Sequence, residues 1–185
     1  MVTYVSILRG INVGGHRLIK MVDLKILLSN LGFSNVQTYI QSGNIIFQFT
    51  ETSEKVLEDI ICSAIKKQYN FDVPTMVKGI AEMKNLHANN PFLKDETKDI
   101  SYMHITYLER IPDHEKFDSL ANSNYKDDEY ILVGKNIYIY CPNGYGNTKL
   151  HNSFFESKLN VNATTRNWKT TRELIAMAEK IEISC

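Results

Sequence analysis

The chain is poor in cysteine, proline and tryptophan, and it has no surplus of either charge. Three cysteines, Cys62, Cys141 and Cys185, lie far apart with no CxxC pair, which excludes a disulfide framework and a thiolate zinc knuckle. A reducing cytoplasm is the simplest setting, with the thiols serving as buried packing groups. The five histidines, His16, His87, His104, His114 and His151, show no metal-ligand spacing, so no metal and no cofactor are expected. No apolar run approaches the roughly 18 residues that a membrane span needs, and the first residues lack the charged segment of a signal peptide. Lysine plus arginine and aspartate plus glutamate each number 21. A net charge of zero argues against a strongly electrostatic membrane or nucleic-acid protein and leaves room for a local basic patch.

What is present suffices for a packed protein: 185 residues, 43% apolar and 23% charged. Residues 3–8 form a short β-rich run that ends at Gly10. Met21, Leu24, Leu28 and Leu31 recur at helical spacing, and Gly32 follows as a left-handed stop. Val36, Thr38 and Ile40 alternate, as do Ile45, Phe47 and Phe49, with Gln41-Ser42-Gly43-Asn44 as the hairpin turn between them. Ser53 is an N-cap for a helix to about residue 69, with Leu57, Ile60, Ile61, Ala64 and Ile65 facing inward. Residues 73–78 read as a strand, and Pro74 places it at a sheet edge or marks where the strand begins. The order is β-α-β-β-α-β, the ferredoxin-like unit.

The second half repeats that order. A short helix over 80–87 leads to the polar run 94–99. Strands follow at 102–108, 130–133 and 137–140, with a helix over 113–121 capped by Asp113. A helix over 148–159, with Thr148 as its cap, precedes a short strand over 161–164. A last helix, over 170–181 and capped by Thr170, turns Leu174, Ile175 and Met177 inward. Ile7-Leu8-Arg9-Gly10-Ile11 faintly echoes Tyr107-Leu108-Glu109-Arg110-Ile111. The expected fold is α+β: two ferredoxin-like (βαββαβ) subdomains packed together through their bare sheet faces, with antiparallel sheets and helices outside. The expected boundaries are 1–88 for the first subdomain with a trailing short helix, 89–100 for a linker, and 101–185 for the second subdomain with its C-terminal helix.

Several runs carry a family resemblance. They are Leu8-Arg9-Gly10-Ile11-Asn12-Val13-Gly14-Gly15, Lys20-Met21, Leu31-Gly32-Phe33 and Thr38-Tyr39-Ile40-Gln41-Ser42-Gly43-Asn44. Later come Asn90-Pro91-Phe92, Gly144-Tyr145-Gly146-Asn147-Thr148-Lys149-Leu150 and Ala163-Thr164-Thr165-Arg166-Asn167-Trp168-Lys169-Thr170. On these the chain resembles the bacterial domain-of-unknown-function family 1697, over nearly its whole length and least over 94–135. The resemblance implies an α+β fold of two similar subdomains and implies no activity. Lys78 stands where the resemblance leads one to expect arginine, which weakens any role there for a bidentate guanidinium.

Three segments are candidates for binding. In the first, Gly10, Gly14 and Gly15 allow inward-pointing N–H groups, a helix follows, and Arg9, His16, Arg17 and Lys20 supply charge, with Asn12 beside them. The spacing matches neither dinucleotide nor P-loop fingerprints, so a tight crossover turn with solvated cations is the competing reading. The polar turn Gln41-Ser42-Gly43-Asn44 adds Gln41, Ser42 and Asn44, and Ser42 is in no nucleophile elbow. The second segment, residues 144–149, is a glycine-rich run that opens a helix, or simply a turn capped by Thr148. In the third, Arg166, Asn167 and Trp168 offer a guanidinium fork, an amide and a stacking ring, against a packing role for the only tryptophan. The RNA-recognition pattern fails on the third strand, where only Gly43 and Phe49 fit. Tyr102, Tyr107, Tyr130, Tyr138 and Tyr140 offer either a stacking face or core packing.

The expected function is a cytoplasmic protein that binds a small anionic or nucleotide-like ligand between its two subdomains. The alternatives are an enzyme of unassigned reaction in the same groove, His16 being its acid/base candidate, and a nucleic-acid or protein interaction module. No catalytic residue, membrane partner or oligomeric state is assigned.

Overall fold

The computed structural model describes residues 1–122 and 125–183, which leaves Cys185 outside the described residues. The chain forms two compact units: Met1–Leu86 together with the C-terminal segment from Arg172, and His87–Thr171. The polar run 94–99 therefore belongs to the second unit.

The first unit is built from β1 (Val2–Leu8), α1 (Met21–Ser29), β2 (Ser34–Tyr39), β3 (Asn44–Phe49), α2 (Glu54–Tyr69) and β4 (Thr75–Gly79). Its antiparallel sheet has the order β2-β3-β1-β4, the ferredoxin-like arrangement, with β4 at an edge. Pro74 sits just before that edge strand, where its missing N–H costs nothing and its carbonyl accepts from Arg9 N at 2.8 Å. α1 ends where Gly32 turns left-handed at φ 88° and Phe33 N reaches back to Leu28 O. α2 is capped by the Ser53 hydroxyl, which accepts from Val56 N at 3.3 Å, and it stops at left-handed Asn70. Glu54 in its first turn and Lys66 and Lys67 in its last complement the helix dipole. The core joins Leu8, Ile45, Phe47 and Val77 of the sheet to Leu24 and Leu28 of α1 and Leu57, Ile61 and Ile65 of α2. Ile60 and Ala64, expected inward, are half-buried. On the opposite sheet face Val5, Ile7, Ile46 and Met76 are also buried.

β4 passes without a loop into α3 (Ile80–Ala88), whose Ile80, Met83 and Leu86 are buried. A 3₁₀ turn, Pro91–Lys94, follows and is capped by Asn90. The second unit then has β5 (Met103–Leu108), α4 (His114–Asp118), β6 (Glu129–Val133), β7 (Asn136–Tyr140), α5 (Asn152–Leu159) and β8 (Ala163–Asn167). The sheet order β6-β7-β5-β8 repeats that of the first unit. Leu108, Ile137, Ile139 and Ala163 pack with Leu120, Leu150, Phe155 and Leu159. Asp113 caps α4 through Lys116 N at 3.1 Å. α6 (Trp168–Ile183) follows β8 directly, residues 168–171 in the second unit and the remainder in the first.

Three expected elements shift. The helix expected from Thr148 begins at Asn152 and is capped by His151, whose Nδ1 accepts from Phe154 N at 3.2 Å. The Thr148 hydroxyl is engaged elsewhere, donating to Asp128 Oδ2 and accepting from Leu150 N at 2.9 Å, and the glycine run forms a 3₁₀ turn, Tyr145–Asn147, that starts after Gly144 and contains Gly146. The final strand is Ala163–Asn167, and the last helix begins at Trp168 because the Asn167 side chain, not Thr170, caps it by accepting from Thr170 N at 2.7 Å.

The two sheets agree in register as well as order. Leu8 N donates to Gly43 O and Leu108 N to Lys135 O, at 2.8 and 2.9 Å. Arg9 N donates to Pro74 O and Glu109 N to Asn162 O. Val5 pairs with Lys78 and Ile105 with Arg166, so each sheet buries a cation at the same position of its last strand.

Candidate functional site

Between β1 and α1 the backbone makes a small hairpin of its own. Val13 and His16 form an isolated bridge around Gly14 and Gly15, both with positive φ, as a two-residue primed turn requires. The turn closes through His16 N to Val13 O at 3.0 Å, and Asn12 N to Arg17 O at 3.2 Å closes the next rung. Asn12 is the clamp. Its Nδ2 donates to Ile19 O at 2.9 Å and to Gln41 O at 2.8 Å, and its Oδ1 accepts from Ile19 N at 2.9 Å. The first loop is thus tied to the β2–β3 turn. Asn12→Ala should cost about 2 kcal/mol, measured by urea unfolding, because backbone groups at Ile19 and Gln41 lose their partner.

The candidate residues of the first unit fall into two kinds. Gly14, Gly15, His16, Arg17 and Lys20 are exposed, Arg9 and Gly10 are half-buried, and Gln41 is exposed beside half-buried Ser42. Arg17 reaches back over the start of the loop: a Cβ on Gly10 would stand 3.6 Å from its Nη1, next to Arg9. Asn12 and Asn44 are internally bonded. Asn44 is fully buried, donating to Tyr39 O and Ser42 Oγ, each at 3.0 Å. α1 begins at Met21 after Lys20, which caps it without a side-chain bond, so the glycines do not abut the helix end.

Arg166, Asn167 and Trp168 lie in the second unit. Arg166 is buried; its Nη1 donates to Thr164 Oγ1 at 3.0 Å and to Thr165 O at 2.9 Å. Trp168 is buried and stacks on His87 with centroids 4.3 Å apart and planes 13° apart. Tyr107 and Tyr138 are buried, and burial pushes the Tyr138 phenol up to about 12. Lys98 packs its ammonium 4.4 Å from the Tyr140 ring centroid and pairs with Glu129. His104 stacks on Tyr145, and burial lowers its pKa. Burial drives the Cys141 thiol up to about 11 and raises that of Cys62, so neither is an activated nucleophile at neutral pH. Among the described residues no group of three histidine, cysteine or acidic side chains gathers as a metal site, and no helix is long and apolar enough to cross a membrane.

The sequence reading missed one cluster. The Lys78 ammonium, almost fully buried, pairs with Glu82 at 2.5 Å. Glu54 hydrogen-bonds Glu82 and accepts from Gly79 N at 3.0 Å. Its carboxyl pKa is raised from the ordinary value, first by burial, then by the bond to Glu82 and that group's charge. The lone lysine beside Val77 was the available signal; the two glutamates lie too far apart in sequence to be linked by spacing.

Comparison with solved structures finds the conserved bacterial protein SP0830 from Streptococcus pneumoniae, 23% identical, with a TM-score of 0.75 over 96% of this chain and 98% of that one. That likeness concerns the fold. No curated protein matches the chain. A model described as protein of unknown function, DUF1697, matches residues 1–138, which takes in the first loop and the β2–β3 turn and stops short of the glycine run at 144–149 and the Arg166 segment. The chain belongs to the DUF1697 family.

Proposed function

We propose that the chain is a cytoplasmic protein that binds a small anionic or nucleotide-like ligand on the surface made by the first loop and the β2–β3 turn. One observation carries the reading: Arg17 folds back over Gly10 beside Arg9, with His16 and Lys20 exposed on the same clamped loop. Charge-assisted bonds from a guanidinium and an ammonium suit phosphate or carboxylate oxygens. Asn12 and Asn44 shape the surface, and Gln41 and Ser42 border it. The matched register of the two sheets supports an internal duplication in which the charge at the first site was not kept, since Glu109 stands at the place of Arg9.

The test is thermal unfolding with inorganic phosphate and ATP. A ligand at a hundred times its dissociation constant adds about 2.7 kcal/mol. Arg17→Ala with Lys20→Ala should abolish the shift without unfolding the protein, because both side chains are exposed. No shift with either compound would remove the proposal.

A further inference from the structure

The first unit carries an outer face that its own core does not use. α1 buries Met21, Leu24 and Leu28, yet its opposite side holds Val22, 68% exposed, and Ile26, 54% exposed, one turn apart. The loop entering the helix also exposes Val13 and Leu18, each at 65%. A helix apolar on both sides ordinarily has both sides covered. Interleaved with these residues are Arg9, Arg17, Lys20 and Lys25, with Asp23 as the one acid between positions 9 and 26. In a chain of zero net charge this stretch is an apolar surface rimmed by cations.

We infer that this face docks on an anionic lipid bilayer, with Val22, Ile26 and Leu18 entering the headgroup layer and Arg17, Lys20 and Lys25 pairing with lipid phosphates. The inference rests on the anion-binding reading for Arg17 and Lys20 and names the source of the anion. Charge complementarity selects the occupant. A second copy of this chain would set cations against cations. An acidic helix would want a groove. A groove of about 520 Å³ between α2 and the turn that follows α1 is lined by both Asp59 and Lys67 and is not cationic. The apolar side chains on α1 stand out from a convex helix, which suits a planar, yielding, negatively charged layer such as the inner leaflet.

The experiment is co-sedimentation with vesicles of equal parts phosphatidylglycerol and phosphatidylcholine, with pure phosphatidylcholine vesicles and inorganic phosphate as parallel arms. The protein should sediment with the anionic vesicles alone and be released by salt. Lys20→Ala should weaken binding about fivefold. Val22→Ser with Ile26→Ser should weaken it at least about tenfold while leaving the phosphate-induced thermal shift unchanged. Failure to bind anionic vesicles while phosphate still stabilises the protein overturns the bilayer and leaves the anion site standing. Vesicle binding without a phosphate shift does the reverse. Equal sedimentation of the serine variant, or a concentration-dependent dimer that the serine variant loses, also overturns the inference.

Discussion

Gly43→Ala is expected to destabilise the protein by about 3 kcal/mol and to lower its melting temperature by about 6–12 °C. Two costs add. Gly43 has φ +79°, where an L side chain costs about 1–2 kcal/mol. A Cβ there would also stand 2.7 Å from Leu8 Cβ and 2.7 Å from Ile11 Cδ1. The Ile11 methyl can swing aside, but Leu8 Cβ is fixed to a central strand and Leu8 N is bonded to the carbonyl of Gly43 itself. Overpacking of this kind costs about 1–3 kcal/mol. Gly15→Ala and Gly134→Ala serve as controls. Both residues have positive φ, and a Cβ at either would meet nothing within 4 Å. Each should therefore lose only the conformational part, about 1–2 kcal/mol. Urea unfolding of the three variants reads the difference. If Gly43→Ala costs no more than its controls, the turn moves away from Leu8 and does not hold the first loop in place.

That result bears on what the sequence could reveal. The clamp at Asn12 and the close approach at Gly43 join residues about thirty positions apart, and each residue type is unremarkable in its own loop. The sequence marked Asn12 and Asn44 as candidate ligand contacts because polar residues beside glycines suggest binding; the amides are instead consumed in holding turns together. Elements with strong local chemistry were legible: the Ser53 cap of α2, the Gly32 stop of α1, and Pro74 before an edge strand. β8 was placed too early because Thr165, Arg166 and Asn167 look like loop residues; with Thr164 they belong to the strand. They form a strand whose polar groups meet in pairs, Thr106 Oγ1 with Thr165 Oγ1 at 2.6 Å and Thr165 Oγ1 with Asn152 Oδ1 at 2.6 Å. Threonine suits a strand sterically, and burial of its hydroxyl depends on a distant partner that no local pattern can show. The α1 surface was hidden for a related reason. Helical spacing found Met21, Leu24 and Leu28 but also took in Leu31, which lies past the helix end and is exposed, and nothing in the period itself showed that Val22 and Ile26 would stay in the open.

Lys78→Ala is expected to cost about 2–4 kcal/mol at neutral pH, the loss falling toward acid pH. Lys78 is buried on β4, and its ammonium faces Glu82, which in turn meets Glu54 at the start of α2. Removing one partner of a buried pair is costly because the other charge is left behind. Here the figure sits below the usual 3–5 kcal/mol because Glu82 is about a third exposed and partly screened. The pH dependence follows from Glu54. Its folded pKa lies above the unfolded value, chiefly through burial, so the folded protein holds that proton more tightly. The resulting stability is present at acid pH and is lost as pH rises from the ordinary carboxylate range through the raised value. Lys78 opposes the shift, so its removal should deepen the loss on the alkaline side. Lys78→Met separates packing from charge: it refills the space of the lysine stem and should recover stability at acid pH but not near neutrality. Glu54→Gln should stabilise the protein at neutral pH and flatten the decline, since glutamine can still accept from Gly79 N and can donate to Glu82. Urea denaturation midpoints measured from acid to neutral pH test all three variants. A parallel offset between wild type and Glu54→Gln across that range would mean that Glu54 carries no linked proton and that the cluster acts by packing alone.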